Sequence, residues 1–427
     1  MSSSSIIVRP LASPAEYQLH FQFADKEFSP DPSPASALSI QEITMTHPEF
    51  RSEHLRGAFR DGEQLGSYTI FERTLRVGGA RLATGTIGGV VTYPAYRNSG
   101  VATALMYDAI EYAYTHSLAL LLLDGIPKFY SRFGYIDVFD QSVQEIDRAA
   151  ILAQPESRHT VRAATQEDAA SVLSLYERHY GPFSGSFTRT MEQQIHRLRH
   201  QPTENPVWLA VDPDGWPEGY MTLRSGAYRF QVSELAVDNW DVARALLRHH
   251  ARLVEGPDTP STLPYLIPPT AAVLQEMIDH LEVPDTSHWQ HPADEWVVRS
   301  QTFHHRDAGW MARLVDLPAV AQAMLPEWQE RWRRSLANWS GSVLLRVGDE
   351  GCLLQFDGSE LRLVNLGINR AEVIQLTPEI FTQLLFGYRS ITSAIHQQGV
   401  SMHDDLLTVL NVLFPTGHCW IPASDWF

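Results

Sequence analysis

Apolar residues recur in short runs and at helical spacings from the start of the chain. Ile6-Ile7-Val8 ahead of Arg9-Pro10 predicts a strand, and Pro14 opens a helix with Tyr17, Phe21, Ala24 and Phe28 near one face. The proline-rich segment Ser29-Pro30-Asp31-Pro32-Ser33-Pro34 stops that helix. A second helix is expected from about His47 to Phe59, then strands over Ser67 to Phe71 and Leu82 to Ile87. Val90-Val91-Thr92-Tyr93 is a further apolar strand halted at Pro94. It leads through Arg97-Asn98-Ser99-Gly100 into a helix from about Val101 to His116, whose Val101, Leu105, Ile110 and Ala113 face a core. The run Leu118-Ala119-Leu120-Leu121-Leu122-Leu123 has strand length, and an aromatic segment, Phe129-Tyr130-Ser131-Arg132-Phe133-Gly134-Tyr135, follows it. Strands and helices in this order predict one mixed α/β domain.

The pattern then repeats. Val161-Arg162-Ala163-Ala164-Thr165 parallels Val8-Arg9-Pro10-Leu11-Ala12, and Val207–Val211 with Gly219–Leu223 predicts a hairpin across Asp212-Pro213-Asp214-Gly215. A strand from Gln231 to Val237 and a helix from about Val242 to Val254 complete the second unit. Asp238-Asn239-Trp240-Asp241 stands where the first copy has its glycine loop. Two carboxylates there repel an anion, so this copy is expected to keep the fold without the ligand.

Past a polar stretch from Ser300 to Asp307 the pattern changes. A helix from about Pro318 to Trp339 carries Val320, Met324, Trp328, Trp332 and Leu336. Four strands are expected over Val343–Val347, Cys352–Phe356, Leu361–Leu366 and Glu372–Leu376, then a helix capped by Thr377 with Pro378 in its first turn. The expected domains are residues 1–156, 157–303 and 304–427. The aromatic end, Asp425-Trp426-Phe427, reads as docked.

With 427 residues, 44% hydrophobic and 19% charged, the chain falls in the globular class, and three domains fit its length. No apolar run approaches a membrane span, so no membrane partner is expected. The first residues show no basic segment followed by an apolar core, and two cysteines cannot build a disulfide framework, so a reducing cytoplasm is expected. The net charge of −17 argues against nucleic acid. It favours cationic ligands, or simply keeps the protein in solution.

An Arg-x-x-Gly-x-Ala string alone is weak, but here it joins an apolar strand to an amphipathic helix. In that setting the amides from Ser99 to Thr103 can converge on an anion; the alternative is an ordinary strand-loop-helix turn. Val91 through Leu105, with Pro94, Arg97, Gly100 and Ala102 in register, resembles the cofactor motif of the GCN5-related N-acetyltransferases. The run from Phe129 to Tyr135 resembles that family's following motif. Taken over the whole chain, the resemblance is to the Eis-like acetyltransferases: a catalytic GNAT domain, a degenerate second copy and a sterol-carrier-protein-like third domain. The third rests on Leu376-Thr377-Pro378-Glu379, Gln383 to Arg389, Leu413-Phe414-Pro415 and the terminal phenylalanine.

The resemblance implies acetyl-CoA as donor. The backbone of Val91, Thr92 and Tyr93 would lie along its pantetheine arm, and Arg97, Asn98, Ser99, Gly100, Val101, Ala102, Thr103 and Ala104 would hold its pyrophosphate, with Gly125 and Ile126 as further contacts. It implies Tyr130 as general acid and the terminal carboxylate on Phe427 as general base, roles that suit an amine shedding a proton and a thiolate gaining one. It further implies primary amines of cationic acceptors, aminoglycoside, polyamine or lysine-type, and a hexamer. Without the resemblance, Tyr130 reads as a core aromatic and Phe427 as a tail plug. Asp25, Glu27, Asp124 and Asp425 are candidates for the amine site. A competing reading is a non-catalytic protein that holds an apolar ligand in its third domain or keeps CoA structurally.

No metal is expected. His196 and His200 have helical chelate spacing but no third ligand, and the pairs His249-His250 and His304-His305 point apart. Neither a nucleotide-triphosphate loop nor a hydrolase elbow occurs.

Overall fold

Serine and proline set the first two helices. Ser13 and Ser33 each accept a bond from the amide three residues on, with Pro14 and Pro34 in the first turn, where the missing N–H costs nothing. The computed structural model describes residues 5–282, 296–365, 371–398, 404–417 and 419–425. It begins β1 (Ile7–Pro10), α1 (Pro14–Phe28), α2 (Pro34–Met45), β2 (Leu55–Arg60), β3 (Glu63–Val77), β4 (Ala80–Thr92), α3 (Val101–Thr115), β5 (Leu120–Gly125), β6 (Ile136–Asp137), β7 (Gln141–Asp147) and α4 (Arg148–Ala153). The middle adds β8 (Thr160–Ala163), α5 (Ala169–Tyr180), α6 (Met191–Arg199), β9 (Trp208–Val211), β10 (Pro217–Leu223), β11 (Val232–Val237), α7 (Trp240–Leu253), β12 (Thr262–Tyr265), α8 (Ala272–His280) and β13 (Val298–Phe303). The last part holds β14 (Gly309–Leu314), α9 (Leu317–Arg334), β15 (Gly341–Val347), β16 (Glu350–Asp357), β17 (Glu360–Val364), β18 (Glu372–Leu376), α10 (Pro378–Phe386), α11 (Ile391–Gln398) and α12 (Asp404–Leu413).

Two seven-stranded sheets share one topology. Their orders are β1-β2-β3-β4-β5-β14-β6 and β8-β9-β10-β11-β12-β7-β13, the second read from its other edge. In both, the fourth and fifth strands are parallel and the other neighbours antiparallel. A helix follows the fourth strand in each, α3 after β4 and α7 after β11. The fold is α/β with mixed sheets, built from two such units and a four-stranded sheet, β17-β16-β15-β18.

Strand exchange ties the units together. β7 completes the second sheet from the first stretch of chain, and β14 enters the first sheet between β5 and β6. Cuts at 156/157 and 303/304 each part a strand from the sheet it completes. Alternation along β5 explains its all-apolar run: Leu121 and Leu123 pack under α3 with Val101, Leu105 and Tyr112. Leu120 and Leu122 face the other way, into a core shared with Trp310, Met324, Trp328 and the third sheet's Val343 and Leu345.

The helix expected over His47 to Phe59 is not formed. Ser52–His54 make one 3-10 turn, and Leu55–Arg60 are strand β2, held between β1 and β3. Gly57 fits this pairing, since a Cβ there would stand 2.5 Å from Leu11 Cδ2. The strands expected over 67–71 and 82–87 belong to much longer ones, β3 and β4.

Candidate active site

Parallel pairing of β4 with β5 ends at Ile87 and Leu123, while β4 continues along β3 to Thr92. The strands part here, and the edge of β4 from Gly88 onward loses its neighbour. A bulge opposite Tyr68 marks the divergence, with Gly89 at φ +56°. The gap is a cleft of about 1040 Å³ walled by β3, β4, α1, α2 and the segment after β5.

Val91, Thr92, Arg97, Ala102, Gly125, Ile126 and Tyr130 line it, so the sequence-derived cofactor loop and the aromatic segment meet in one cavity. Tyr93, Asn98, Ser99, Gly100, Val101, Thr103 and Ala104 are not among its lining residues. Tyr93 turns the other way: its N–H donates to Leu65, its ring stacks on Phe23 and its hydroxyl accepts from Gln64 at 2.7 Å. Val101 is core. Asn98, at φ +62°, and Gly100, at φ +86°, bend the exposed loop so that α3 begins with no side-chain cap. The first-turn amides of α3 have no partner within the helix, and no side chain caps them.

A cofactor with phosphates and an amide arm fits these groups. Nothing lies within 4 Å of a Cβ placed on Gly100, so the loop is open to a ligand. The Thr92 hydroxyl is buried without a hydrogen-bond partner at the free edge of β4. Arg97 supplies a cation, its Nη2 2.6 Å from Glu27 Oε1 across the cleft.

Tyr130 is 6% exposed and packs edge-on against Phe129 and Tyr135. Burial, helped by the nearby charge of Asp124, pushes its phenol up to about 12. Gly125 allows this approach, because a Cβ there would meet Tyr130 Cδ2 at 3.0 Å and Met311 Sδ at 2.8 Å. Asp124 opens onto the cleft at the end of β5; the crowding walls raise its pKa, and the charge of His305 opposes them.

The four candidate amine-binding carboxylates separate. Asp25 is buried and accepts from the Ser33 amide and the Ser36 hydroxyl, which fixes the turn between α1 and α2. Asp425 lies 2.9 Å from Arg189 and 3.1 Å from Arg197 in a buried ion cluster on the second unit. Glu27 and Asp124 face the cleft. Phe427, the expected base, lies outside the described residues.

His20 was not singled out in the sequence, yet it lines the cleft beside Gly89. Its Nδ1 meets the Ser67 hydroxyl at 2.9 Å and its Nε2 the Thr69 hydroxyl at 3.0 Å, and burial lowers its pKa to about 4. Ala24, Glu27 and Phe28 follow it on the same face of α1, at the spacing that could have grouped them. Phe71, on β3, also lines the cleft.

In the second unit the corresponding helix start is filled from within. Asn239 caps α7 at Val242, Asp238 pairs with Arg178 and His179, and Asp241 contacts His159. Among the described residues no group of three or more His, Cys, Asp or Glu is placed to hold a metal, and no helix is long and apolar enough to cross a membrane.

Residues 8–136 match the family model described as an acetyltransferase (GNAT) domain. No curated protein matches the sequence. A GCN5-related N-acetyltransferase from Kribbella flavida has a similar fold at 19% identity and a TM-score of 0.72, with 100% of this chain and 99% of that one covered. One from Anabaena variabilis covers 99% and 100% at 15% identity and 0.70. Eis1 from Mycobacterium abscessus covers 98% and 100% at 18% identity and 0.61. The chain thus carries a GNAT-type acetyltransferase domain over residues 8–136, within a fold it shares end to end with these structures, and it is a transferase.

Proposed function

We propose that this protein is an acetyl-CoA-dependent N-acetyltransferase that transfers the acetyl group directly to a primary amine of a cationic acceptor. The carrying observation is the single cleft that joins Thr92 and Arg97 to Tyr130. Arg97, the Thr92 hydroxyl and the α3 amides are the groups that would hold the donor, with the free edge of β4 along its arm. Bound there, acetyl-CoA supplies an activated acetyl group as a thioester. Tyr130 holds its proton at neutral pH, because burial pushes its phenol up to about 12, and would give it to the departing thiolate. The attacking amine must be unprotonated, and we assign the base to the Phe427 carboxylate. A carboxylate near its ordinary value of about 3.5 needs desolvation to do this work.

The same reading takes 1–156 as the catalytic unit, 157–303 as a degenerate copy and 304–427 as a sterol-carrier-protein-like unit, in a cytoplasmic hexamer. What supports the degenerate copy is the shared strand order together with the self-filled start of α7.

The test is CoA release from acetyl-CoA with a panel of amines. Tyr130→Phe is expected to lower kcat by roughly a hundredfold or more while CoA binding persists. Residues appended after Phe427 are expected to abolish turnover; unchanged turnover removes the terminal carboxylate from the mechanism. Failure of the intact protein to release CoA with any amine removes the enzyme reading.

A further inference from the structure

Where β4 and β5 part, the cleft is lined by a hydroxyl that ends a chain of hydrogen bonds. Pairing between β3 and β4 slips at this point: Ser67 stands opposite Val91 and Thr69 opposite Gly88, so two steps on β3 face three on β4. His20, from α1, bridges the two β3 residues that flank the slip. Its Nδ1 is 2.9 Å from the Ser67 hydroxyl and its Nε2 3.0 Å from that of Thr69.

The direction of these bonds follows from the far end of the chain. Gln64 Nε2 donates to the Tyr93 hydroxyl at 2.7 Å. Burial pushes that phenol up to about 12, so Tyr93 keeps its proton and donates a bond to Ser67 at 3.4 Å. Ser67 then donates to Nδ1, which places the imidazole hydrogen on Nε2 and makes Thr69 its acceptor. This order needs a neutral ring, and burial keeps His20 neutral. The Thr69 hydroxyl is left with its own hydrogen for the cleft, which it lines beside Gly88 and Gly89.

An acceptor for that hydrogen would arrive with the acetyl donor. An arm laid along the free edge of β4 cannot run past Gly88, because β5 pairs with that strand from Ile87 inward. A thioester at its end would stop where the strands part, between Gly89 and Gly125, and Tyr130 packs beside Gly125. Thr69 Oγ1 is close to the same place, 3.7 Å from a Cβ built on Gly89.

We propose that the Thr69 hydroxyl donates a hydrogen bond to the thioester carbonyl oxygen of bound acetyl-CoA, and that His20 is the positioning residue that orients it. This rests on the N-acetyltransferase reading and adds a group to its site. As the amine adds to the carbonyl carbon, the oxygen gains negative charge and the bond from Thr69 strengthens. When the carbon–sulfur bond breaks, the C=O re-forms and the hydroxyl still holds its proton.

The experiment reads the carbonyl stretch of acetyl-CoA labelled with carbon-13 at the acetyl carbonyl, bound to the full chain, by difference infrared spectroscopy. The band is expected at lower frequency on the unaltered protein and on Thr69→Ser than on Thr69→Val. CoA release with phenethylamine and with spermidine is measured alongside. Thr69→Val should lower kcat by roughly tenfold to a hundredfold with the acetyl-CoA KM changed less than about twofold, and Thr69→Ser should recover most of the loss. His20→Phe, which keeps a ring without its nitrogens, should fall between in both readouts. If Thr69→Val only loses stability in urea, with its carbonyl band and kcat unchanged, the bridge is structural and the proposal is overturned. His20→Phe matching the unaltered protein in both readouts overturns the positioning part. No bound carbonyl band and no CoA release from the unaltered protein would remove the N-acetyltransferase reading, and this proposal with it.

Discussion

Glu27 and Arg97 hold each other across the mouth of the cleft, Oε1 to Nη2 at 2.6 Å, one at the end of α1 and the other in the loop before α3. Both are well exposed, so the pair is worth no more than about 1 kcal/mol. A pyrophosphate offers Arg97 a stronger, doubly charged partner, and the exchange costs little. Glu27→Gln is therefore expected to tighten CoA binding about twofold to fivefold at low salt, whereas Arg97→Ala weakens it by roughly tenfold. Calorimetric titration of CoA at two ionic strengths checks both signs. Weaker binding in Glu27→Gln would mean that the pair builds the site rather than competing for it.

Two glycines at positive φ make a controlled comparison. Gly100, at φ +86°, has nothing within 4 Å of a Cβ, so alanine there meets only backbone strain of about 1–2 kcal/mol. Gly89, at φ +56°, would also bring its Cβ to 3.3 Å from His20 Cε1. Gly89→Ala should thus lose more stability than Gly100→Ala in urea unfolding and disturb the His20 hydroxyl bonds at the bulge. Equal losses would show that His20 yields freely.

Much of the fold was legible because its signals are local. The cap at Thr377, the hairpin before β11 and the strand-loop-helix around Gly100 are all spelled within a few residues. Residues 47–59 misled because Phe50, His54 and Ala58 sit at helical spacing, and only pairing with β1 and β3 decides for a strand. The exchange of β7 and β14 is a long-range choice with no local mark. The site divides the same way: Arg97 and Tyr130 carry motifs, whereas His20 and Phe71 join the cleft only because α1 packs over β3 and β4.

His20 gives the protein an acid limb. Burial lowers its pKa from 6.5 to about 4, and His47 and His54 are lowered to about 4 as well. Between those values the unfolded chain binds protons that the native state refuses, so stability falls as pH drops from about 6.5 toward 4. His20 alone should contribute about 1.4 kcal/mol per pH unit across that window. Urea unfolding at pH 7.5 and 5.5 reads this, and His20→Gln is expected to flatten the dependence. A wild-type stability equal at both pH values would mean that His20 is reached by water and titrates normally.

Asp425 provides the opposite kind of titration. Its carboxylate is 2% exposed and takes bonds from Arg189, Arg197 and the Tyr176 hydroxyl, while its backbone carbonyl accepts from Arg73 on β3 at 3.1 Å. Desolvation works to raise its pKa, but the guanidinium groups of Arg189, Arg197 and Arg73 prevail and hold it below the usual carboxylate range. Breaking a buried pair of this kind costs about 3–5 kcal/mol, because the cations lose their counter-charge while still buried. Asp425→Asn should therefore be destabilised by about that amount at pH 7. A depressed carboxylate contributes its stability fully above its unfolded value, near 4, and loses it as pH falls through the native value. The gap between wild type and Asp425→Asn should hold constant from pH 7 to about 5 and close only below about 4, a comparison in which the histidine contribution cancels. A gap already closing at pH 6 would show that the carboxyl is protonated in the native cluster, with Glu234 balancing Arg189 at 2.6 Å instead.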